Sequence, residues 1–241
     1  MPAVIELELA HQPGLVVYPA RLHGAACALL EPPYRDHTAQ QKQFSAGPLV
    51  DLGGRIGWTL GWLASQQPPP LPTTIRFGQT SSPILAHRIE DSSFATLAAT
   101  APAWSVELEA VSPLFFSRNG RDHPLPDPVL ILRSALNRWN HHAPSVLTVN
   151  DPAAHALLAA VHLADMQGRT VRANVSATMD QLGFIGTVRL ALSQKADSPT
   201  AILFAALMRF AAIAGLGAQN THGFGATRLI RLHHHSPATR A

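Results

Sequence analysis

Cysteine, lysine, tyrosine and charge are all scarce in this chain of 241 residues. With Cys27 as the single cysteine, no intrachain disulfide framework can form, and a reducing, cytoplasmic setting is the expectation. Charged residues make up 14% against 46% hydrophobic, a balance that excludes extended disorder. Long apolar runs are missing too. The most apolar window, residues 201–216, contains Arg209 and is too short to span a bilayer. The opening MPAVIELELA alternates instead of presenting the basic segment and apolar block of a secretory leader. A soluble chain with no membrane partner is expected.

What is present begins with length, enough for one large domain or two small ones with a proper core. The formal net charge is only +3, but its make-up is unusual: Lys42 and Lys195 are the only lysines, and the rest of the 18 basic residues are arginine. Arginine suits bidentate phosphate contacts, and a GC-rich genome produces the same bias.

Residues 4–9 alternate, with Ile5, Leu7 and Leu9 on one face, and predict a half-buried strand. The Ala- and Leu-rich run 22–30 predicts a buried helix ended by Pro32-Pro33. A polar loop follows, then strands at 56–63, 74–77 and 84–89, with QQPPPLP as a stiff spacer between the first two, and a short helix near 94–99. A second alternating strand, 106–110, opens a new unit. Asp127-Pro128 predicts a helix start, a cap followed by proline at the first helical position, and that helix runs to about Asn140. Residues 152–164 read as a helix running into a strand. Further strands are expected at 170–177 and 184–192, then a long helix from Ser198-Pro199 and a final strand at 226–232. Strand, helix, strand, strand, helix, strand is the ferredoxin-like split βαβ pattern. The earlier half reads as a looser copy. The expected division is residues 1–103, 104–233 and a tail, 234–241.

Between the long helix and the last strand lies GLGAQNTHGFG, residues 215–225, with Gly215, Gly217, Gly223 and Gly225. Such backbone can adopt positive φ and approach a phosphate closely. The order helix, glycines, strand is not that of a Walker or Rossmann loop, and no GK[ST] ending follows. A phosphate grip and a plain flexible turn both fit.

Four segments together resemble a known family: LHGAACALL with the later DHTAQQKQFSAGPL, SPLFFSRNGRDHPLPDPVLILRSALNRWN, LGFIGTVRL, and the glycine loop. They are similar to the CRISPR-associated repeat-RNA processing endoribonucleases of the RAMP superfamily, in order and spacing covering nearly the whole chain. The resemblance implies an α+β fold of two tandem ferredoxin-like domains. It implies metal-independent cutting of precursor CRISPR RNA within each repeat by 2′-OH attack, leaving a 2′,3′-cyclic phosphate and a 5′-OH. No cofactor is implied. Subunits of a CRISPR effector complex and a second copy of the chain are the further partners it allows.

Such chemistry needs a base for the 2′-OH proton, an acid for the departing 5′ oxygen and a cation for the phosphate. Histidine serves either proton role near neutral pH. The His-x4-Lys-x-Phe-Ser arrangement resembles the family's catalytic segment, which assigns His37 as general acid or base and Lys42 as the phosphate-stabilising cation. Where some members carry a tyrosine on the first helix, this chain has Cys27, so a His-Tyr-Lys triad is not expected. His23, one turn earlier, is the second-rank candidate, and a packing histidine fits it equally. RNA contacts are expected from the loop, at Gly215, Gly217, Asn220, Gly223, Phe224 and Gly225, and His222 fits an RNA contact and a part in the loop's own structure equally. Arg189, Arg228 and Arg231 are further candidates on strands. His141-His142 lack the spacing of a metal site and no metal is expected. A non-catalytic RAMP subunit that binds RNA within an effector complex would keep the glycine loop without needing His37.

Overall fold

The computed structural model describes residues 1–31, 42–176 and 179–234. Strand β1 (Ala3–Ala10) leads into helix α1 (Pro19–Leu30), which starts with proline at its first position. Leu22, Ala25, Ala26, Leu29 and Leu30 form the buried stripe of α1. Glu31 leaves the helix in an extended conformation, as the residue before a proline must. Strands β2 (Phe44–Asp51), β3 (Arg55–Trp62), β4 (Thr74–Phe77) and β5 (Thr80–Asp91) complete a sheet of order β2-β3-β1-β5-β4. The pairs Ile5↔Leu60, Leu7↔Trp58 and Leu9↔Ile56 place one apolar face against α1.

Two features of this half depart from the pattern expected. Residues 44–49 carry no strand signal because Pro48 interrupts them, yet they belong to β2. The strand lies at the sheet edge, and its register slips between Ala46 and Leu49, where a missing N–H is tolerated. The second helix of a ferredoxin-like unit is replaced by the Pro-rich segment and the β4–β5 hairpin. Helix α2 (Phe94–Ala98) comes after the sheet is complete, and its Phe94 and Leu97 join the other core.

The second half follows the full pattern. Strand β6 (Ser105–Leu114) is followed by a small hairpin, β7 (Phe116–Arg118) and β8 (Arg121–His123), turning on Asn119 and Gly120, both at positive φ. Helix α3 (Pro128–His142) is capped by Asp127, whose side chain accepts from the Leu130 N–H. Helix α4 (Asp151–Ala160) runs directly into β9 (Val161–Ser176), a single long strand where two separate strands were expected, and β10 (Met179–Leu192) pairs along it. Helix α5 (Ser198–Ala214) and strand β11 (Thr227–His233) finish the unit. The sheet order β11-β6-β10-β9, antiparallel throughout, is the ferredoxin-like arrangement. Phe94, Trp139 and Phe210 meet edge-on or tilted, 5.2–5.5 Å between centroids, at the centre of its core. No helix among the described residues is long and apolar enough to cross a membrane.

The end of α5 presses on the first sheet. A Cβ on Gly61 of β3 would lie 1.9 Å from the Ile213 carbonyl oxygen and 2.4 Å from Ser45 Oγ, the group that donates to that carbonyl. Only a residue without a side chain lets strand and helix end touch. Gly61→Ala is therefore expected to lower stability by about 3 kcal/mol or more. Gly24→Ala, inside α1 with nothing within 4 Å of the new methyl, should raise it by about 0.5–1 kcal/mol. Urea midpoints of the two variants check both signs.

Candidate active site

The glycine loop is tied to its own protein. Gly215, Gly217, Gly223 and Gly225 all have positive φ, as their spacing leads one to expect. The close approaches this allows are internal, because the Gly225 carbonyl accepts from the Leu216 N–H and the Gly217 N–H donates to Ser134 Oγ on α3. The N–H groups of Gly215 and Gly225 donate to the carbonyls of Ala211 and Pro113. These three glycine amides are thus occupied, and the loop acts as a clamp between elements in place of a phosphate cradle. Asn220 is its centre. Its backbone carbonyl accepts from the Ala46 N–H of β2 at 2.7 Å, its Nδ2 donates to the Gly217 carbonyl, and its Oδ1 accepts from Arg138 Nη1 at 2.6 Å.

Beyond Asn220 the loop delivers His222 onto α1. The imidazoles of His222 and His23 stack with centroids 4.1 Å apart and planes 4° from parallel. Thr221 Oγ1 lies 3.0 Å from His222 Nδ1, and Cys27 Sγ lies 3.4 Å from His23 Nε2. Burial, then the neighbouring His23, pulls the His222 pKa down to about 4. His23 is lowered as well, by burial first and the Lys42 charge second, with the Thr221 backbone and Glu31 opposing. Burial and Glu31 push the Cys27 thiol up to about 11, so it stays protonated. The stacked rings are neutral near pH 7, which removes the repulsion two imidazolium ions would suffer at this separation.

Lys42 lies beside this stack, its ammonium 2.8 Å from the Glu31 carboxylate, with both side chains almost sealed from water. These two residues bracket the segment that carries His37, which lies outside the described residues. On the far side of the loop a pocket of about 290 Å³ is lined by Lys42, Arg138, His142, Asn220, Thr221 and His222, among others. His222 also lines a more open hollow of about 450 Å³, bounded by Leu22 of α1, Asn174 of β9, Gly223 and Phe224.

Of the residues singled out in the sequence, the fold brings together His23, Lys42, Asn220 and His222. Gly223 and Phe224 border the adjoining hollow, whereas Gly215, Gly217 and Gly225 serve the loop's own folding. Arg228 and Arg189 stand on the second sheet, where Arg228 pairs with Glu109 and Arg189 lies 4.0 Å from Asp165. Arg231 is registered opposite Glu107 on the same sheet. His233 closes β11 and His234 Nδ1 meets the Pro102 carbonyl, so the end of the chain is anchored at least that far. Arg138 and His142 were missed. Their signal is the spacing Ser134, Arg138, His142, four residues apart, which aligns three polar groups along one side of the helix. Among the described residues no cluster of three or more His, Cys, Asp or Glu is placed to hold a metal ion.

Two outcomes follow from this geometry. Because His222 is held neutral in the folded state, the unfolded chain binds more protons between about pH 6.5 and 4, so stability falls as pH drops through that window. His222→Asn should flatten the dependence, and the His222 ring should titrate near 4 by NMR; titration near the ordinary value of about 6.5 would contradict the stack. Removing the cation alone, Lys42→Met, is expected to cost about 3–5 kcal/mol by breaking a buried ion pair from one side. The double change Lys42→Met with Glu31→Gln should recover most of the loss in denaturant melts.

The CRISPR-associated endoribonuclease Cas6 family model matches residues 108–227, from β6 through the glycine loop to β11. No curated protein matches the chain by sequence. Among solved structures, the Cas6 (TTHA0078) product complex is 25% identical over 95% of this chain and 99% of its own, with a TM-score of 0.79. The Cas6 (TTHB231) product complex is 24% identical over 95% of this chain and 100% of its own, with a TM-score of 0.80. The same Thermus thermophilus protein outside that complex is 22% identical over 95% and 98%, with a TM-score of 0.69. Helix-to-strand glycine loop, ferredoxin-like second half and full-length structural likeness agree, and the chain belongs to the Cas6 family of CRISPR-associated endoribonucleases.

Proposed function

We propose that this chain cuts precursor CRISPR RNA within its repeats, without a metal ion, and that His37 moves a proton in the step. The ribose 2′ oxygen attacks the adjacent phosphorus while a base takes its proton. The bond from phosphorus to the 5′ oxygen breaks, and an acid protonates that oxygen. The products are a 2′,3′-cyclic phosphate and a 5′-OH, which balances protons without water.

The observation that carries this reading is the convergence of His23, Lys42 and His222 at the salt bridge from which the His37 segment departs and to which it returns. Four residues lie between His37 and Lys42, so chain reach alone holds its Cα within about 18 Å of that lysine. His23 is the nearer candidate for the second proton-transfer group. Its lowered pKa favours a base over an acid. Cys27 is poorly suited to either role, because its raised pKa keeps the thiol protonated and burial keeps it from substrate. Lys42, fixed by Glu31, faces the pocket as the cation beside the phosphate.

Incubation with repeat RNA in EDTA tests the proposal. Chelator-resistant cutting by the wild type, lost in His37→Ala, is the expected result, with a cyclic phosphate on the upstream fragment. Tight binding of repeat RNA without any cutting by the wild type would instead favour the non-catalytic RNA-binding subunit.

A further inference from the structure

Four of the arginines on the strands face carboxylates. Arg55 bonds Glu8, Arg88 lies between Glu6 and Glu90, Arg189 faces Asp165 and Arg228 grips Glu109. Lys42 is matched by Glu31. Arg138, on α3, is placed differently. Its side chain is half-buried in the junction of α3, the glycine loop and the start of β2, and among the described residues its side chain bonds the neutral amide oxygen of Asn220. The Nε is cut off from water without a partner. Among the described residues no carboxylate lies within ion-pair distance of Arg138, and none lines the pocket that the guanidinium shares with Lys42, His142, Thr221 and His222.

A half-buried guanidinium with its Nε cut off from water, and with no carboxylate beside it among the described residues, is completed when an anion arrives. Its remaining N–H donors form a planar fork suited to two phosphate oxygens. The amide of Asn220 sets the plane of that fork, and Asn220 is itself held by the Gly217 carbonyl and the Ala46 N–H. Burial draws the Arg138 pKa down only to about 10, so the charge persists at any working pH.

We propose that Arg138 receives a phosphate group of the RNA backbone in this pocket, and that the glycine loop serves RNA by aiming this arginine. The proposal rests on the RNA-cutting reading above and adds a second cation to the site beside the bridged Lys42.

The test uses the whole protein with repeat RNA carrying a 2′-deoxy sugar at the cut, so that binding is measured without turnover. Arg138→Gln is expected to weaken binding about tenfold at moderate salt and to make the log–log salt slope shallower by roughly 0.7–1, as befits one fewer neutralised phosphate. Arg138→Lys keeps the charge and loses the fork, so the slope should stay while single-turnover cutting of the ordinary RNA slows about tenfold or more. An unchanged affinity and slope in folded Arg138→Gln overturns the proposal. If that variant does not fold, wild-type cutting and binding by Arg138→Lys overturns it. Failure of the wild type to cut would sink the RNA-cutting reading alone, because the salt comparison still reports on Arg138.

Discussion

Asn220 is the point on which the site depends. One residue satisfies an N–H of the first sheet, an arginine of α3 and a carbonyl of its own loop, and so fixes three elements that are far apart in sequence. The glycines around it make the arrangement possible, since a Cβ on Gly225 would sit 1.9 Å from the Leu216 carbonyl oxygen and one on Gly217 2.2 Å from that of Phe115. The α5 terminus then rests on β3 at Gly61. A helix end that would otherwise expose its carbonyls thereby finds donors across the junction: Ser45 for Ile213 and Thr227 for Ala211.

The electrostatic plan follows from that packing. On the exposed sheet surfaces Arg55, Arg88, Arg189 and Arg228 already face carboxylates, which lessens their attraction for a polyanion. Around the junction the balance differs, with a lone guanidinium, a bridged lysine and two stacked neutral imidazoles in one place. A neutral imidazole can accept a proton where an imidazolium cannot, and a nearby guanidinium can hold an anion in place while it does so.

Much of the fold is legible in the sequence because period and caps agree. Asp127-Pro128 and Asp197 with Ser198-Pro199 start their helices by side-chain caps, and Val106, Leu108 and Ala110 alternate onto the core. What is hidden has physical causes. β2 is obscured by an edge proline, and the two short predicted strands of β9 are one because its outer residues are solvated on both sides and show no alternation. The β7–β8 hairpin has a local signal, the Asn119-Gly120 pair, that the Pro-rich continuation masks. The glycine loop is legible as a special backbone but not as a clamp, since its partners Ser134, Arg138 and Ala46 lie far away in the chain. For the same reason His23 and His222 are visible only as separate candidates. Arg189 and Arg228 look like phosphate ligands until their cross-strand carboxylates are placed beside them.

The Glu31–Lys42 bridge also bears on how such a chain can diverge. Because the ion pair closes the ends of the ten residues between them, insertions or deletions in that stretch leave the pocket's frame where it is. Closing a loop of twice the length costs only about 0.6 kcal/mol more. The length of this one segment can thus change while α1, β2 and the junction beneath stay unaltered.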